Sequence, residues 1–171
     1  GARVTGDGRL CLPLYTPEGS ISTLQFIDSA GGKQFLSGGK TTGSCWVIGE
    51  ASEAPLCYIA EGYATAATIH EETGAPVFVA FSAHNLTATA KVALECSGAK
   101  KFMIVGDHDE SKVGQKEADK ASQATGIPYI IPSDVGDIND FRASGGDVMG
   151  LLAPKKADEW LVSAADFCAQ P

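Results

Sequence analysis

The rhythm of apolar and polar positions changes near residue 50. Before it, short mixed runs alternate with turn residues. Leu10 to Tyr15, Ser22 to Asp28, Lys33 to Leu36 and Ser44 to Ile48 are strand candidates, separated by Pro17-Glu18-Gly19 and Ala30-Gly31-Gly32. This pattern predicts a β meander over residues 1–50, followed by a polar connection over 49–55. Beyond it, wholly apolar runs alternate with helical segments. Leu56 to Ala60 reads as a buried strand, Tyr63 to Thr73 as a helix ended by Gly74, and Pro76 to Phe81 as a strand. A helix from about Thr87 to Cys96, a strand from Phe102 to Val105, a helix from Val113 to Thr125 closed by Gly126 and a strand from Pro128 to Ile131 follow. Helical sequence then continues through Trp160 and Phe167. Strands and helices alternating at this length imply parallel pairing with right-handed crossovers. The expectation is an α/β, Rossmann-type fold: a mostly parallel four-stranded sheet flanked by helices over 51–145. An N-terminal β-hairpin/meander lobe covers 1–50 and a C-terminal helical tail 146–171.

Placing the acids on this frame raises the first chemical question. Phe102-Met103-Ile104-Val105 runs into Gly106-Asp107-His108-Asp109, and Leu56 to Ala60 runs into Glu61-Gly62. Strand C-termini of a parallel sheet share one edge, where ligands of open α/β sheets bind. Glu61, Asp107 and Asp109 would therefore gather there and suit a hard cation and phosphate chemistry. Each also has a plainer reading, as a carboxylate at a helix start. Three acids on one edge repel one another unless a cation or a catalytic purpose offsets the repulsion. Asp137 and Asp140, in the loop after the last strand, could join them or simply form an Asp-Asn turn that caps a helix. Gly62 and Gly106 are expected to permit tight turns beside the acids.

Composition narrows the picture. A chain of 171 residues can bury one good core, or one core and a small lobe. The formal net charge of −8 argues against a strong stand-alone nucleic-acid binder, yet leaves room for metal-mediated work on nucleotides. Lys112, Lys116 and Lys120 are spaced to share a helix face. The five cysteines are odd in number and widely spaced, so neither a disulfide framework nor a zinc ribbon follows. No signal peptide or membrane-spanning run is present, and a cytoplasmic location is the default expectation. The chain opens on Gly-Ala-Arg-Val and enters strand-like sequence at once, which reads as a piece of a longer protein.

Glu61-Gly62 followed by Asp107-His108-Asp109 resembles the signature of the Toprim domain, shared by topoisomerases, bacterial and phage primases and some nucleases. Asp109, Gly114 and Ala118 are similar to the primase pattern Asp-x-x-Gly-x-x-x-Ala with a small insertion. Three further stretches resemble the plasmid and phage primases. They are the hairpin Leu24 to Asp28 with Gly32 to Gly39, the turn Phe81-Ser82-Ala83-His84-Asn85-Leu86, and Asp137-Ile138-Asn139-Asp140-Phe141. The likeness spans about residues 8 to 145. It departs from the pattern at His108, between the paired acids, and at His84, where the turn usually has glycine.

The resemblance implies a Toprim-like fold and synthesis of short RNA primers on single-stranded DNA from nucleoside triphosphates. It implies Mg²⁺ or Mn²⁺ held by Asp107 and Asp109, with Glu61 as general base or second metal anchor and Asp137 or Asp140 completing the shell. Lys33 and Lys40 become candidates for nucleotide phosphates or template backbone, solvated turn lysines being the alternative. His84 and Asn85 are candidates for nucleotide or nucleic-acid contact, with a loop-filling role the alternative for His84. Helicase or zinc-binding domains of a parent protein would be partners. Two rival functions remain: a Toprim-type nuclease, and a non-catalytic module of a replication protein. A topoisomerase is disfavoured, since the chain has no recognisable strand-cleaving tyrosine region.

Overall fold

The change of rhythm near residue 50 corresponds to two sheets. In the computed structural model, which describes residues 1–132 and 136–153, the first sheet is antiparallel in the order β1 (Arg3–Val4), β2 (Leu10–Tyr15), β3 (Ile21–Ile27) and β4 (Lys33–Phe35). The second has the order β5-β7-β6-β8-β9, built from β5 (Trp46–Ile48), β6 (Cys57–Ala60), β7 (Val77–Val79), β8 (Phe102–Val105) and β9 (Tyr129–Ile130). Five α-helices and one 3-10 turn (Ala83–Asn85) are described: α1 (Tyr63–Thr73), α2 (Leu86–Cys96), α3 (Val113–Thr125), α4 (Ile138–Ala143) and α5 (Val148–Leu152). The predicted ends of α1 and α3 hold, with Gly74 and Gly126 in the left-handed region. Residues 154–171, including Trp160 and Phe167 of the expected helical tail, lie outside the described residues.

One expectation needs correction. The second sheet has five strands rather than four, because β5 leaves the meander and pairs antiparallel with β7. Alternation identifies a strand at Trp46–Ile48 but not its partner. All three residues are half-buried: Trp46 and Ile48 pack toward one face of the larger sheet and Val47 toward the other, while β7 satisfies the strand's backbone. A Tyr15–Cys45 bridge hands the chain from one sheet to the other.

Side-chain alternation splits the larger sheet into two apolar faces. Tyr58, Ala60, Val77, Val79, Met103 and Val105 pack with Ala66 and Ile69 of α1, Ile138 of α4 and Leu152 of α5. Leu12 and Leu14 of β2 join the same cluster and are fully buried. Each such burial contributes about 1.5–3 kcal/mol, so the β lobe is anchored to this face. Cys57, Ile59, Phe78, Ala80 and Ile104 face the other way, onto Leu86, Ala90 and Ala93 of α2 and Ala118 and Ala121 of α3. Among the described residues, no helix is long and apolar enough to cross a membrane.

Candidate active site at the strand ends

The sheet order creates a crevice between β6 and β8. Ala60 pairs with Val105 in parallel register, so Glu61 lies beside Gly106 and Asp107 extends one residue further. From β6 the chain leaves through α1 toward β7 on one face. From β8 it leaves through α3 toward β9 on the other. Neighbouring strands whose connections depart in opposite directions open a gap at their C-terminal ends, and α/β sheets bind ligands there. Glu61 and Asp107 flank that gap.

Neither acid is exposed, and their electrostatics show it. Burial, then the charges of Glu61 and Asp137, push the Asp107 carboxyl up to about 7, against a smaller opposing effect of Lys33. Its Oδ1 is buried with no hydrogen-bond partner among the described residues. Glu61 is also raised, first by burial, while Lys33 and the Ala83 backbone pull it back. A buried carboxylate oxygen left unsatisfied costs free energy unless a cation or donor arrives.

Asp109 is in a different state. It accepts hydrogen bonds from the Ser111 hydroxyl, from Gly114 N–H at 2.7 Å and from Val113 N–H at 3.2 Å. The Ser111 bond, followed by the backbone N–H groups, holds its carboxyl below the usual range. It serves the start of α3, whose N-cap residue Lys112 makes no side-chain cap. Gly114 is required here: a Cβ would come within 2.5 Å of the Asp107 carbonyl and 2.9 Å of Asp109 Oδ2. Gly106 likewise sits where a Cβ would meet Ala118 and Ile131. Close packing, rather than the turn expected from sequence, explains that glycine. Gly62 also differs from expectation, with extended backbone at φ −101°.

Asp137 and Asp140 form a capping box at the start of α4. Asp137 Oδ1 accepts from Asp140 N–H at 2.9 Å, and Asp140 Oδ2 from Asp137 N–H at 3.4 Å. Asp137 is nevertheless carried close enough to raise Asp107. The carrier is His108, whose backbone bridges to Gly136 in both directions at 2.9 and 2.8 Å. The His108 ring adds a bond between Nδ1 and the Pro132 carbonyl at 3.0 Å. A carbonyl only accepts, so Nδ1 carries the proton. Asp140 is exposed.

The remaining sequence candidates divide. Lys33, at the start of β4, reaches across from the lobe. Its Nζ lies 3.6 Å from where a Gly62 Cβ would be, and its charge acts on both Glu61 and Asp107. Lys40 stays with the lobe, where its carbonyl accepts from Ser22 Oγ at 2.6 Å. His84 is 80% exposed and stands 3.5 Å from Glu117, and only its protonated form would act on Glu61. Asn85 turns inward, at 4% exposure. Its amide donates to the Ser44 and Ala80 carbonyls at 2.9 and 2.8 Å and accepts from Gly43 N–H at 2.8 Å. It works as a strut between lobe and sheet, with its polar atoms already engaged.

Sequence reasoning missed the residues that join lobe to site. Buried Gln25 donates to the Phe81 carbonyl at 3.3 Å. Phe81 has φ +66°, a strained conformation for a bulky residue. The strain sits where β7 turns to bring Ala83 toward Glu61. A polar Gln25 inside an apolar strand run was the only available signal.

Among the described residues, no three His, Cys, Asp or Glu side chains converge into a complete metal cage. The donor set instead fits a cation that takes one or two carboxylates and fills its shell with water and phosphate oxygens, as Mg²⁺ does. The unpartnered Oδ1 of Asp107 is the position such an ion would satisfy.

Comparison with known proteins agrees with this geometry. Residues 56–147 match the Toprim domain. The chain is 34% identical over 131 residues to DNA primase TraC of Escherichia coli, covering 71% of this chain and 9% of that protein. A second TraC primase of the same organism matches at 33%, over 12% of its length. The chain thus spans about a tenth of the curated relatives it matches. Among solved structures, the primase fragment of the bacteriophage T7 primase-helicase superposes with a TM-score of 0.63 at 18% identity, covering 88% of this chain and 65% of that one. The DnaG primase catalytic domain bound to single-stranded DNA gives 0.58 at 11% identity, over 85% and 54%. These likenesses show a shared fold. With its match running from β6 through the late acidic loop, this chain belongs to the Toprim family.

Proposed function

We propose that this chain is the catalytic core fragment of a DNA primase, joining ribonucleotides on a single-stranded DNA template by metal-dependent nucleotidyl transfer. The observation that carries the reading is the buried Asp107 Oδ1, unpartnered among the described residues, beside Glu61, with the Lys33 charge acting on both carboxyls. The similarity to the TraC primases supports it. Asp107 and Glu61 would hold Mg²⁺ or Mn²⁺, with Asp109 and Asp137 at its outer side. The ion would neutralise triphosphate charge and favour a hydroxyl nucleophile. Glu61, whose carboxyl burial raises, would take the proton from the primer-end hydroxyl. Lys33 would bind a nucleotide phosphate. Template and triphosphates would enter from the lobe side, and helicase or zinc-binding domains of a parent protein would help to hold the template.

The test incubates the chain with single-stranded DNA, labelled ribonucleotides and Mn²⁺, beside Asp107→Asn. Labelled primers are expected from the natural sequence and a loss of about a hundredfold or more from the variant. Strand loss without primers would instead make this a Toprim nuclease. Calorimetric titration of Mn²⁺ resolves the third case: equal, negligible heats from both proteins would make the chain a non-catalytic module.

A further inference from the structure

Resting on the primase reading, we propose that Trp46 and Tyr63 form a stacking platform for the nucleobase of the bound nucleotide. The two rings lie 14° from parallel with centroids 5.6 Å apart. Both are half-buried, neither closed over by the core they rim. Their position on the sheet gives the pair its meaning.

Trp46 pairs with Val79, Val79 with Ala60, and Ala60 with Val105, so one row crosses the sheet from β5 to β8. Glu61 and Asp107 follow the last two of these residues, which puts Trp46 on the acid-bearing edge. Tyr63 opens α1 only two residues after Glu61. Lys33 Nζ lies 3.6 Å from where a Cβ on Gly62, the residue before Tyr63, would be. Three interstrand steps separate β5 from β8, about 14 Å at the usual spacing. That is the reach of a nucleotide with its triphosphate extended. Phosphates at the Asp107 end would carry the base to the aromatic pair. Every base has a π-face, so the platform would hold any of the four without reading sequence. Trp46 also lies outside the stretch matched by the Toprim domain, so the platform is a feature of this chain's lobe junction.

A pair of rings that merely sealed the joint between lobe and sheet would bear on folding alone. The experiment therefore compares a ligand with a base to one without. Mn²⁺-ATP and Mn²⁺-tripolyphosphate are titrated calorimetrically into the natural protein, Tyr63→Leu and Tyr63→Phe. In Tyr63→Leu, affinity for Mn²⁺-ATP is expected to fall about tenfold, with tripolyphosphate binding unchanged. Tyr63→Phe, which keeps the ring, should match the natural protein. Trp46→Leu removes the other ring and should give the same split, and retained tripolyphosphate binding certifies the fold of each variant. Unchanged ATP affinity in both leucine variants overturns the platform, as does a parallel loss of both ligands. In either case the primase reading stands. If the natural protein binds neither ligand, that reading falls and the platform with it.

Discussion

Glu61 and Asp107 end strands, whereas Asp109, Asp137 and Asp140 begin helices, and that difference of place decides what each carboxylate can still offer. At the strand ends the carboxylates are not spent on capping: α1 begins with no side-chain cap, and Glu61 meets the Ala83 backbone instead. Asp107 Oδ1 is left buried and idle among the described residues, with the carboxyl pushed up to about 7. At the helix starts, orphan N–H groups are in supply, and the acids are drawn into capping them. Asp109 takes Gly114 and Val113, while Asp137 takes Asp140. Two groups of carboxylates thus share an edge in opposite states, one open, the other satisfied.

The sharpest way to break the comparison is Asp107→Asn measured in metal-free protein. The folded chain holds the Asp107 proton up to about pH 7, against an ordinary 3.8 when unfolded. Between these values the folded state binds the extra proton, so stability falls as pH rises through the window and the full penalty is present above it. Asparagine removes the titration. The variant is expected to be more stable by a few kcal/mol above about pH 7 and nearly equal near pH 4. Urea melts across that range, without metal, check it. A variant less stable than the natural chain at pH 8 would mean that Asp107 is already satisfied and that the contrast is false.

The satisfied side is probed by Gly114→Ala. Inside a helix, alanine would normally gain up to about 1 kcal/mol over glycine. Here the new Cβ would stand 2.5 Å from the Asp107 carbonyl, a backbone atom that cannot swing aside. Overpacking of that kind costs about 1–3 kcal/mol, so net destabilisation is expected in the same melts. The clash also pushes the start of α3 away from Asp109 and should raise that carboxyl toward its ordinary value, observable by NMR titration.

How far this contrast could be read in the sequence depends on the kind of signal. Strand C-termini are legible from apolar runs, so Glu61 and Asp107 could be placed on one edge, and the helix limits at Gly74 and Gly126 followed from local chemistry. Both readings of Asp109 and Asp137 were also legible, but choosing between them needs the N–H groups that each oxygen meets. Partnership across the fold was hidden. Nothing local says that Trp46–Ile48 joins β7 rather than the meander, or that Asn85 spends its amide on Ser44, Ala80 and Gly43. Lys33 and Lys40 look alike as sequence, and only the register of β3 with β4 separates the one that reaches the acids.

The smallest expected effect is at Asp140. Among the described residues its Oδ2 accepts only one long bond, 3.4 Å from Asp137 N–H, and the side chain is exposed at the start of a six-residue helix. Asp140→Ala leaves the stronger half of the capping box intact, because Asp137 accepts from the residue 140 backbone, which alanine keeps. Stability should drop by about 0.5 kcal/mol, the low end for a lost cap. Mn²⁺ affinity should not change, since no oxygen of Asp140 is idle and buried as Asp107 Oδ1 is. A calorimetric titration showing tenfold weaker Mn²⁺ binding in Asp140→Ala would move this residue from the capping acids to the ion-holding ones. The line between strand-end and helix-start carboxylates would then have to be redrawn through α4.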